Sequence, residues 1–502
     1  MKYLLNHKQM QQCDINTMEY FGVISPVLME RAALCMTEEI LRVTGGKQEP
    51  VLIVCGTGNN GGDGLAAARM LMQKDIPVDI WYPGNEEKAS TEGKRQLEIV
   101  RKYKIPVYKE VPQKTYGCIV DCLFGIGLSR GVGGIYKDVI AQMNEMPGIK
   151  VAADIPSGIH TDSGQVMGIA FRADLTVTFG FRKLGHVLFP GVDYCGEVVL
   201  KDMGIDRYSL LDMQDLAFHL EEADLAQIAK RAQRSNKGTY GKLLLIAGAR
   251  NMAGAAVLAA KGAYAAGVGL VRIVTPECNR EIIQKLVPEA VLTTYDEDTE
   301  DVSFLEECFA WADAVVAGPG LSQSDTSERI LEAVLGVEDK KVLFDADALN
   351  LIAKKDKVTL PKQCVVTPHL GEMQRLSNTA VKDQQKELIK VALDFAKGYN
   401  TVVVLKDAHT VIAGPGAETC INLTGNPGMA VGGSGDVLSG VIGCLLAGGQ
   451  DAFMAACMGV YIHGRAGDLA ATQNGMAGMS ASDLVPSVKE VMRLAEMRGN
   501  DR

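Results

Sequence analysis

The 502-residue sequence has no paired-cysteine spacing, no Walker lysine behind its first glycine loop, no low-complexity tract and no surplus of basic residues. Each absence excludes something. The 12 cysteines are scattered, and Cys118 and Cys122, four apart, sit in an apolar, strand-like run. All of them therefore read as reduced packing residues of a cytosolic protein rather than as a zinc or disulfide framework. The formal charge of −10, from 51 basic and 61 acidic residues, argues against nucleic acid as a partner. An anionic ligand must then be met locally, by helix starts and single lysines. The opening MKYLLNHKQM has too short an apolar stretch for a signal peptide. The apolar run at 437–449 stops at Gln450 and Asp451, so its length fits a core helix and not a membrane span. The expectation is a cytoplasmic α/β protein with no membrane partner.

What is present in excess is glycine: 54 residues, clustered in loops. A chain this long exceeds one ordinary core and predicts two or three domains. Over 203–237 charge density rises and the strand pattern stops, which divides the chain into 1–216 and 217–502. Within that junction EEADLAQIAKRA reads as a connecting helix.

In the first half, residues 10–45 read as two helices, with MERAALCMTEEILRV apolar at helical spacing. VLIVC, GTGNNGGDG and LAAARMLMQK then follow as strand, glycine loop and helix. Gly56, Gly58 and Gly61 satisfy the dinucleotide pattern, but Asp79 is not placed where an ordinary dehydrogenase has its ribose acid. Asn59, Asn60 and Asp63 are the distinctive residues. Amide and carboxylate oxygens suit a hard cation, and asparagine equally tolerates a left-handed turn. GCIVDCLFG ends a strand on Asp121 and opens a second glycine loop, Gly125, Ile126, Gly127, Leu128, Ser129, Arg130 and Gly131. VAADIPSG ends another on Asp154 and Ser157. Functional residues at successive strand ends indicate a parallel sheet with its site along the C-terminal edge. Asp154 is a candidate acid–base group or a turn-capping aspartate; Lys183, a lone lysine, is a phosphate partner, an acid–base group or a solvated side chain.

The second half repeats the logic. KLLLIAGA precedes a helix of very small residues containing Gly254 and Ala255, whose composition predicts close helix–sheet packing. AGPG ends a strand at Gly320, DADALN presents Asp345 and Asp347, TPHLGEM places His369 on a turn before Glu372, and Lys406 ends TVVVLK. The last loop, TGNPGMAVGGSGD, packs five glycines before Asp436 and an apolar helix. Glycines allow close backbone approach, and an open helix start binds anions such as phosphate. A carboxylate beside a phosphate pocket is repelled unless it does chemistry, so Asp436 reads as the base for an attacking hydroxyl, against the alternative of a helix cap.

These motifs carry two resemblances. LMERA, GTGNNGGDG, DCLFGIG, DIPSG and TFGFRKLG together resemble the nicotinamide nucleotide hydrate epimerases, a Rossmann-like family, over roughly 5–215. That resemblance implies K⁺ held by Asn60, Asp121 and Ser157. It implies hydrated coenzyme bound by Asn59, Asn60, Gly61, Gly62, Asp63, the seven loop residues from Gly125 to Gly131, and Asp154. GARNMAGAA, AGPG, DADALN, TPHLGEM and GGSGDVLSG are similar to the nicotinamide nucleotide hydrate dehydratases, of ribokinase-like fold, over 217–495. It implies that Ala255, Gly320, His369 and Asp436 face the hydrate (NADHX or NADPHX). Lys406, Asp407, Ala408, His409, Thr410 and Gly435 would hold the adenine nucleotide, with Mg²⁺ on its phosphates. Family members more often have glycine where this chain has Asp407. Fused members resemble the ADP-dependent type, although the residues themselves do not choose between ADP and ATP. A homo-oligomer is the expected assembly. A small-molecule kinase explains the last loop but not the first domain; a nucleotide sensor without turnover is the non-enzymatic rival.

Overall fold

The structure, a computed structural model, describes residues 1–228 and 231–498. The chain forms two compact units, Tyr3–Leu216 and Ala217–Arg502, the latter joined by the first two residues.

The first unit is built on a seven-stranded parallel sheet. Its spatial order is Val107–Tyr108, Val78–Trp81, Val51–Cys55, Cys118–Cys122, Ile149–Ala153, Leu175–Phe179 and Glu197–Lys201. The order reverses direction at Val51–Cys55 and Cys118–Cys122, the point where ligands meet such sheets. Successive residues of a strand face opposite sides. Ile53, Val120 and Val151 accordingly join one core with the helices Ser25–Thr44 and Asn59–Met72. Leu52, Ile119 and Ala152 join another with Ile135–Glu145. This is a three-layer Rossmann-like domain. The strand ends Cys55, Cys122 and Ala153 bring the glycine loops and Asp154 to one edge.

In the second unit, seven parallel strands run in the order Val291–Tyr295, Leu270–Pro276, Lys242–Ile246, Ala314–Ala317, Lys341–Phe344, Gln363–Val366 and Val402–Leu405. Val411–Ala413 and Thr419–Ile421 extend it antiparallel. Leu243 and Leu245 enter a core with Ala253–Ala266, Ser434–Ala447, Ala452–Asn474 and Ala481–Arg498; Leu244 and Ile246, on the other face, are equally buried. Helices cover both faces, as in ribokinase-like domains.

Two expectations need amending. The small residues of Ala253–Ala266 pack on the sheet as expected, but their tightest approach is to another helix. A Cβ on Gly440 would stand 1.9 Å from the Ala259 carbonyl oxygen, and one on Gly262 2.6 Å from that of Val437. Second, among its described residues the junction holds no long helix: Glu222–Gln227 is a 3₁₀ turn, and part of the stretch read as helical, 229–230, lies outside the described residues. The 12 cysteines are all free, but Cys278 is exposed rather than packed. Among the described residues no helix is long and apolar enough to cross a membrane.

Candidate active sites

At the switch point of the first domain lies a cleft of about 550 Å³. Asn59, Asn60 and Asp63 line it from the first turns of Asn59–Met72, together with Gly125, Ile126, Gly127, Leu128, Ser129 and Arg130, Asp154 and Lys183. The asparagines sit in a regular helical turn, so left-handed geometry is not their reason for being there. Gly61 and Gly62 do not line the cleft. Gly61 lets the helix start approach the Gly56 carbonyl, where a Cβ would stand 1.9 Å away, and Gly62 packs on Met29. Gly131 is exposed outside the lining.

Asp154 holds a left-handed backbone, φ 64°, strain of order 1 kcal/mol for a residue with a Cβ. Its carboxylate caps no turn. Oδ1 accepts hydrogen bonds from Lys183 Nζ and, at 3.0 Å, Thr178 Oγ1. Lys183 also reaches Thr178 Oγ1 at 2.8 Å and the Phe179 carbonyl at 3.1 Å. Its side chain is 1% exposed against 16% for Asp154, so a cleft ligand meets the aspartate and the lysine acts from behind it. The solvated reading of Lys183 is therefore wrong; a two-residue parallel ladder, Leu4 to Arg182 and Leu5 to Lys183, fixes it in place. His186 completes the brace. Nδ1 accepts from the Lys183 amide at 3.1 Å, leaving Nε2–H to donate to the Asp154 carbonyl at 2.8 Å. Burial, then the Lys183 charge, pushes the ring down to about 3, so it stays neutral.

Asp121 and Ser157 lie under the cleft floor, fully buried. The Ser157 amide and hydroxyl each donate to Asp121 at 2.7 Å, and the Leu123 amide donates at 3.1 Å. Burial raises Asp121 to about 6 despite these bonds. The Phe124 carbonyl oxygen is 3.3 Å from Ser157 Oγ. Among the described residues the buried amide nitrogen of Asn60 has no partner. Asp63 is half-buried, and burial followed by the charges of Asp154 and Asp14 raises it well above the carboxylate range.

In the second domain the glycine loop runs into Ser434–Ala447. Gly433 occupies the cap position in a left-handed conformation, φ 92°, and no side chain caps this helix. The cap alternative for Asp436 falls: it sits in the first turn, and among the described residues its carboxylate accepts no hydrogen bond. Burial first, then the charges of Asp345 and Asp347, outweighs Lys406 and lifts it to about 7. Asp345, at the end of Lys341–Phe344, accepts from Lys406 Nζ at 2.9 Å and Ser439 Oγ at 2.7 Å. Lys406 Nζ is also 4.0 Å from Glu372. Burial opposes the ammonium, but Asp345 and Glu372 overcome it and raise its pKa. A Cβ on Gly435 would lie 3.6 Å from Lys406 Nζ and 3.8 Å from Asp345, so the missing side chain keeps the helix mouth open beside them.

His369 is both a cap and a site residue. Its Nδ1 accepts from the Gly371 and Glu372 amides at 3.0 and 3.3 Å, which puts the proton of the neutral ring on Nε2, 3.5 Å from Glu372 Oε1. Burial, then Lys406, lowers its pKa and keeps it neutral. Gly320, φ 57°, packs on Ala255 at the start of Ala253–Ala266. Of the predicted nucleotide segment, Lys406 reaches the acidic cluster. Asp407, Ala408, His409 and Thr410 form the turn into Val411–Ala413, with Thr410 Oγ1 donating to the Asp407 carbonyl at 3.3 Å. Sequence reasoning passed over Asp14, which lines the first cleft, and gave no role to Glu372, whose place three residues after His369 is a capping-box signal.

A Rossmann-like domain with a charged cleft at its switch point, and a ribokinase-like domain with a carboxylate at a glycine-rich helix mouth, define a two-domain enzyme acting on nucleotides. The family models agree: one described as NAD(P)H-hydrate dehydratase matches residues 243–490, and one described as YjeF-related protein N-terminus matches 25–185. The bifunctional NAD(P)H-hydrate repair enzyme Nnr of Thermofilum pendens is 35% identical over 497 residues, 96% of this chain and 94% of that one. Its counterpart in Moorella thermoacetica is 35% identical over 518 residues, 98% and 97%. Among solved structures, the ADP/ATP-dependent NAD(P)H-hydrate dehydratase of Bacillus subtilis, co-crystallised with ATP/Mg²⁺, is 32% identical at a TM-score of 0.50, covering 56% of this chain and 99% of that one. The chain belongs to the bifunctional NAD(P)H-hydrate repair enzymes, with an epimerase domain followed by a dehydratase domain.

Proposed function

We propose that the dehydratase domain acts on the S hydrate of NADH or NADPH through Asp436, and that ADP supplies the phosphoryl group and leaves as AMP. Hydroxide is a poor leaving group from the nicotinamide ring. Asp436 takes the proton of the ring hydroxyl as it attacks the terminal phosphorus of ADP. The new ring phosphate then departs with its C–O electron pair, a ring proton is lost, and the coenzyme is restored. The observation that carries this reading is the Asp436 carboxylate: unpartnered, half-buried and held near neutrality, as a base at physiological pH must be. The backbone amides of the glycine loop meet the phosphates. Gly320, Ala255 and the His369 Nε2–H face the hydrate, and the segment from Lys406 to Thr410 with Gly435 faces the nucleotide. Asp345, Glu372 and Asp436 surround Lys406, and Asp347 adds its charge at Asp436, so phosphates enter this site only with added positive charge. Mg²⁺ supplies that charge, consistent with the ATP/Mg²⁺ of the Bacillus subtilis relative.

In the epimerase domain, Asp154, its Oδ1 held by Lys183 and Thr178, exchanges a proton with the oxygen that leaves or adds as the hydroxyl-bearing centre inverts. The buried oxygen set of Asp121, Ser157 and the Phe124 carbonyl, beside an Asn60 amide that can present its oxygen where its nitrogen finds no partner, fits K⁺. Bound there, K⁺ offsets the buried carboxylate. The protein is read as a cytoplasmic homo-oligomer. The test mixes purified protein with both epimers of hydrated NADH, Mg²⁺ and ADP or ATP, and follows reduced-nicotinamide absorbance. Full recovery is expected. A phosphorylated product that persists would overturn the dehydratase reading in favour of a small-molecule kinase.

A further inference from the structure

The carboxylate of Asp14 is not accounted for by any step above. It belongs to the helix His7–Ile15, remote in sequence from every glycine motif, yet it lines the same cleft as Asp154 and Lys183. It is half-buried, and among the described residues it has no hydrogen bond and no ion pair. A carboxylate held out of water without a partner is disfavoured as the anion. Nothing structural is gained by placing one here: neighbouring Asn16 donates from its side chain to the Ser209 carbonyl and Thr17 to the Cys13 carbonyl, whereas Asp14 ties nothing down.

Inversion has a requirement that one residue does not meet. The two epimers carry the hydroxyl on opposite faces of the ring. One group must protonate the departing oxygen on the first face, and another must take a proton from the water that adds on the second. Asp154, whose Oδ1 accepts from Lys183 and Thr178, faces the cleft where it can receive the proton of the adding water. We propose that Asp14 is the second catalytic residue of the epimerase, a carboxylic acid that protonates the departing hydroxyl of the hydrated nicotinamide ring. The proposal rests on the reading of this cleft as the epimerase site.

The balance closes. The ring C–O bond breaks with its electron pair on oxygen, and the Asp14 proton joins that oxygen to make water, leaving a ring cation and an Asp14 carboxylate. Water then adds to the opposite face, and its proton passes to Asp154. The reverse conversion starts from the opposite protonation state. The charged groups facing Asp14 from the packed elements are Lys183 and Asp154 at the strand ends, Asp63 on Asn59–Met72 and Arg130 on the second glycine loop, with the Cys13 thiol on its own helix. Burial, opposed by Lys183 and reinforced by Asp154, raises Asp14 to about 6, which keeps a useful fraction protonated in weakly acidic to neutral solution.

The experiment measures R-to-S interconversion of hydrated NADH by full-length protein from pH 5 to pH 8, without nucleotide. Parent, D14N, D14E and D154N are compared, each corrected for the uncatalysed rate. Dehydration of the S hydrate with ADP, a reaction of the other domain, and the thermal midpoint of the epimerase domain report integrity. The expected result is a loss of about 100-fold or more in kcat for D14N with KM changed by less than about threefold, the range of a lost general acid. D14E is expected to retain partial activity, with the alkaline fall of kcat/KM displaced from that of the parent. D14N at the parent rate while D154N is inactive overturns the role of Asp14 alone. Both variants at the parent rate overturn the reading of the cleft. If D14N fails to fold, D14E decides: a displaced alkaline limb upholds the proposal, and an unchanged rate and limb overturn it.

Discussion

Replacing Asp436 by asparagine separates chemistry from stability. In the folded domain burial, then Asp345, holds this carboxyl at about 7, against an ordinary value of 3.8. Between those two values the native state binds a proton that the unfolded chain has released, so the group's effect on stability becomes steadily more unfavourable as pH rises, and above 7 the full penalty is present. The displacement corresponds to roughly 4 kcal/mol as an upper bound. Asparagine carries no charge at any pH, and the other titrating groups are common to both proteins. The difference in stability therefore opens from about 1 kcal/mol at pH 4.5 to roughly 4 kcal/mol at pH 8. At about 2 °C per kcal/mol for a domain of this size, D436N should melt roughly 8 °C above the parent at pH 8 and about 2 °C above it at pH 4.5. Scanning calorimetry on the full chain measures this, with the dehydratase transition assigned by its displacement on adding ADP. The same protein should lose dehydration by about 10²-fold to 10⁴-fold and keep epimerisation. A melting difference equal at the two pH values, or a variant less stable than the parent at pH 8, refutes the argument that this carboxylate is held at the helix mouth against its own electrostatics.

Three further outcomes follow from the same geometry. D154N should abolish epimerisation while ADP-driven recovery of the S hydrate continues at the parent rate; in a mixture of epimers, absorbance recovery then stops at the S fraction plus spontaneous exchange. Lys406→Met strands Asp345 in the core without its cation, so the dehydratase transition should fall by about 3–5 kcal/mol in chemical denaturation, with loss of dehydration and unchanged epimerisation. Gly440→Ala puts a methyl carbon against the Ala259 carbonyl between two helices that have no room for it, and should destabilise the second domain by about 1–3 kcal/mol in the same measurement without touching the site.

The parts of this molecule that were legible in its sequence are those in which one strand end carries its own chemistry. GTGNNGGDG, DIPSG and GGSGD each combine a turn, a helix start or strand end and a polar group within nine residues, and the fold sets them side by side because parallel sheets align their C-terminal ends. What was illegible is charge balance. Lys183 looks like one more surface lysine until the Leu5 ladder and the His186 brace bury it behind Asp154, and none of those partners is marked by composition. Glu372 and Ser439 acquire meaning only because Lys406 and Asp345, 61 residues apart, meet between them. Asp14 sits on a helix whose pattern predicts nothing beyond amphipathic packing. Both proposed sites contain the same device, a carboxylate kept out of water and short of partners, Asp436 in one and Asp14 in the other, whose pKa burial raises. That state depends on which groups fail to arrive as much as on which do. A contiguous motif cannot encode the absence of a hydrogen-bond donor contributed from elsewhere in the chain, so the pKa of Asp436 is fixed by the whole domain even though its position is announced by five glycines.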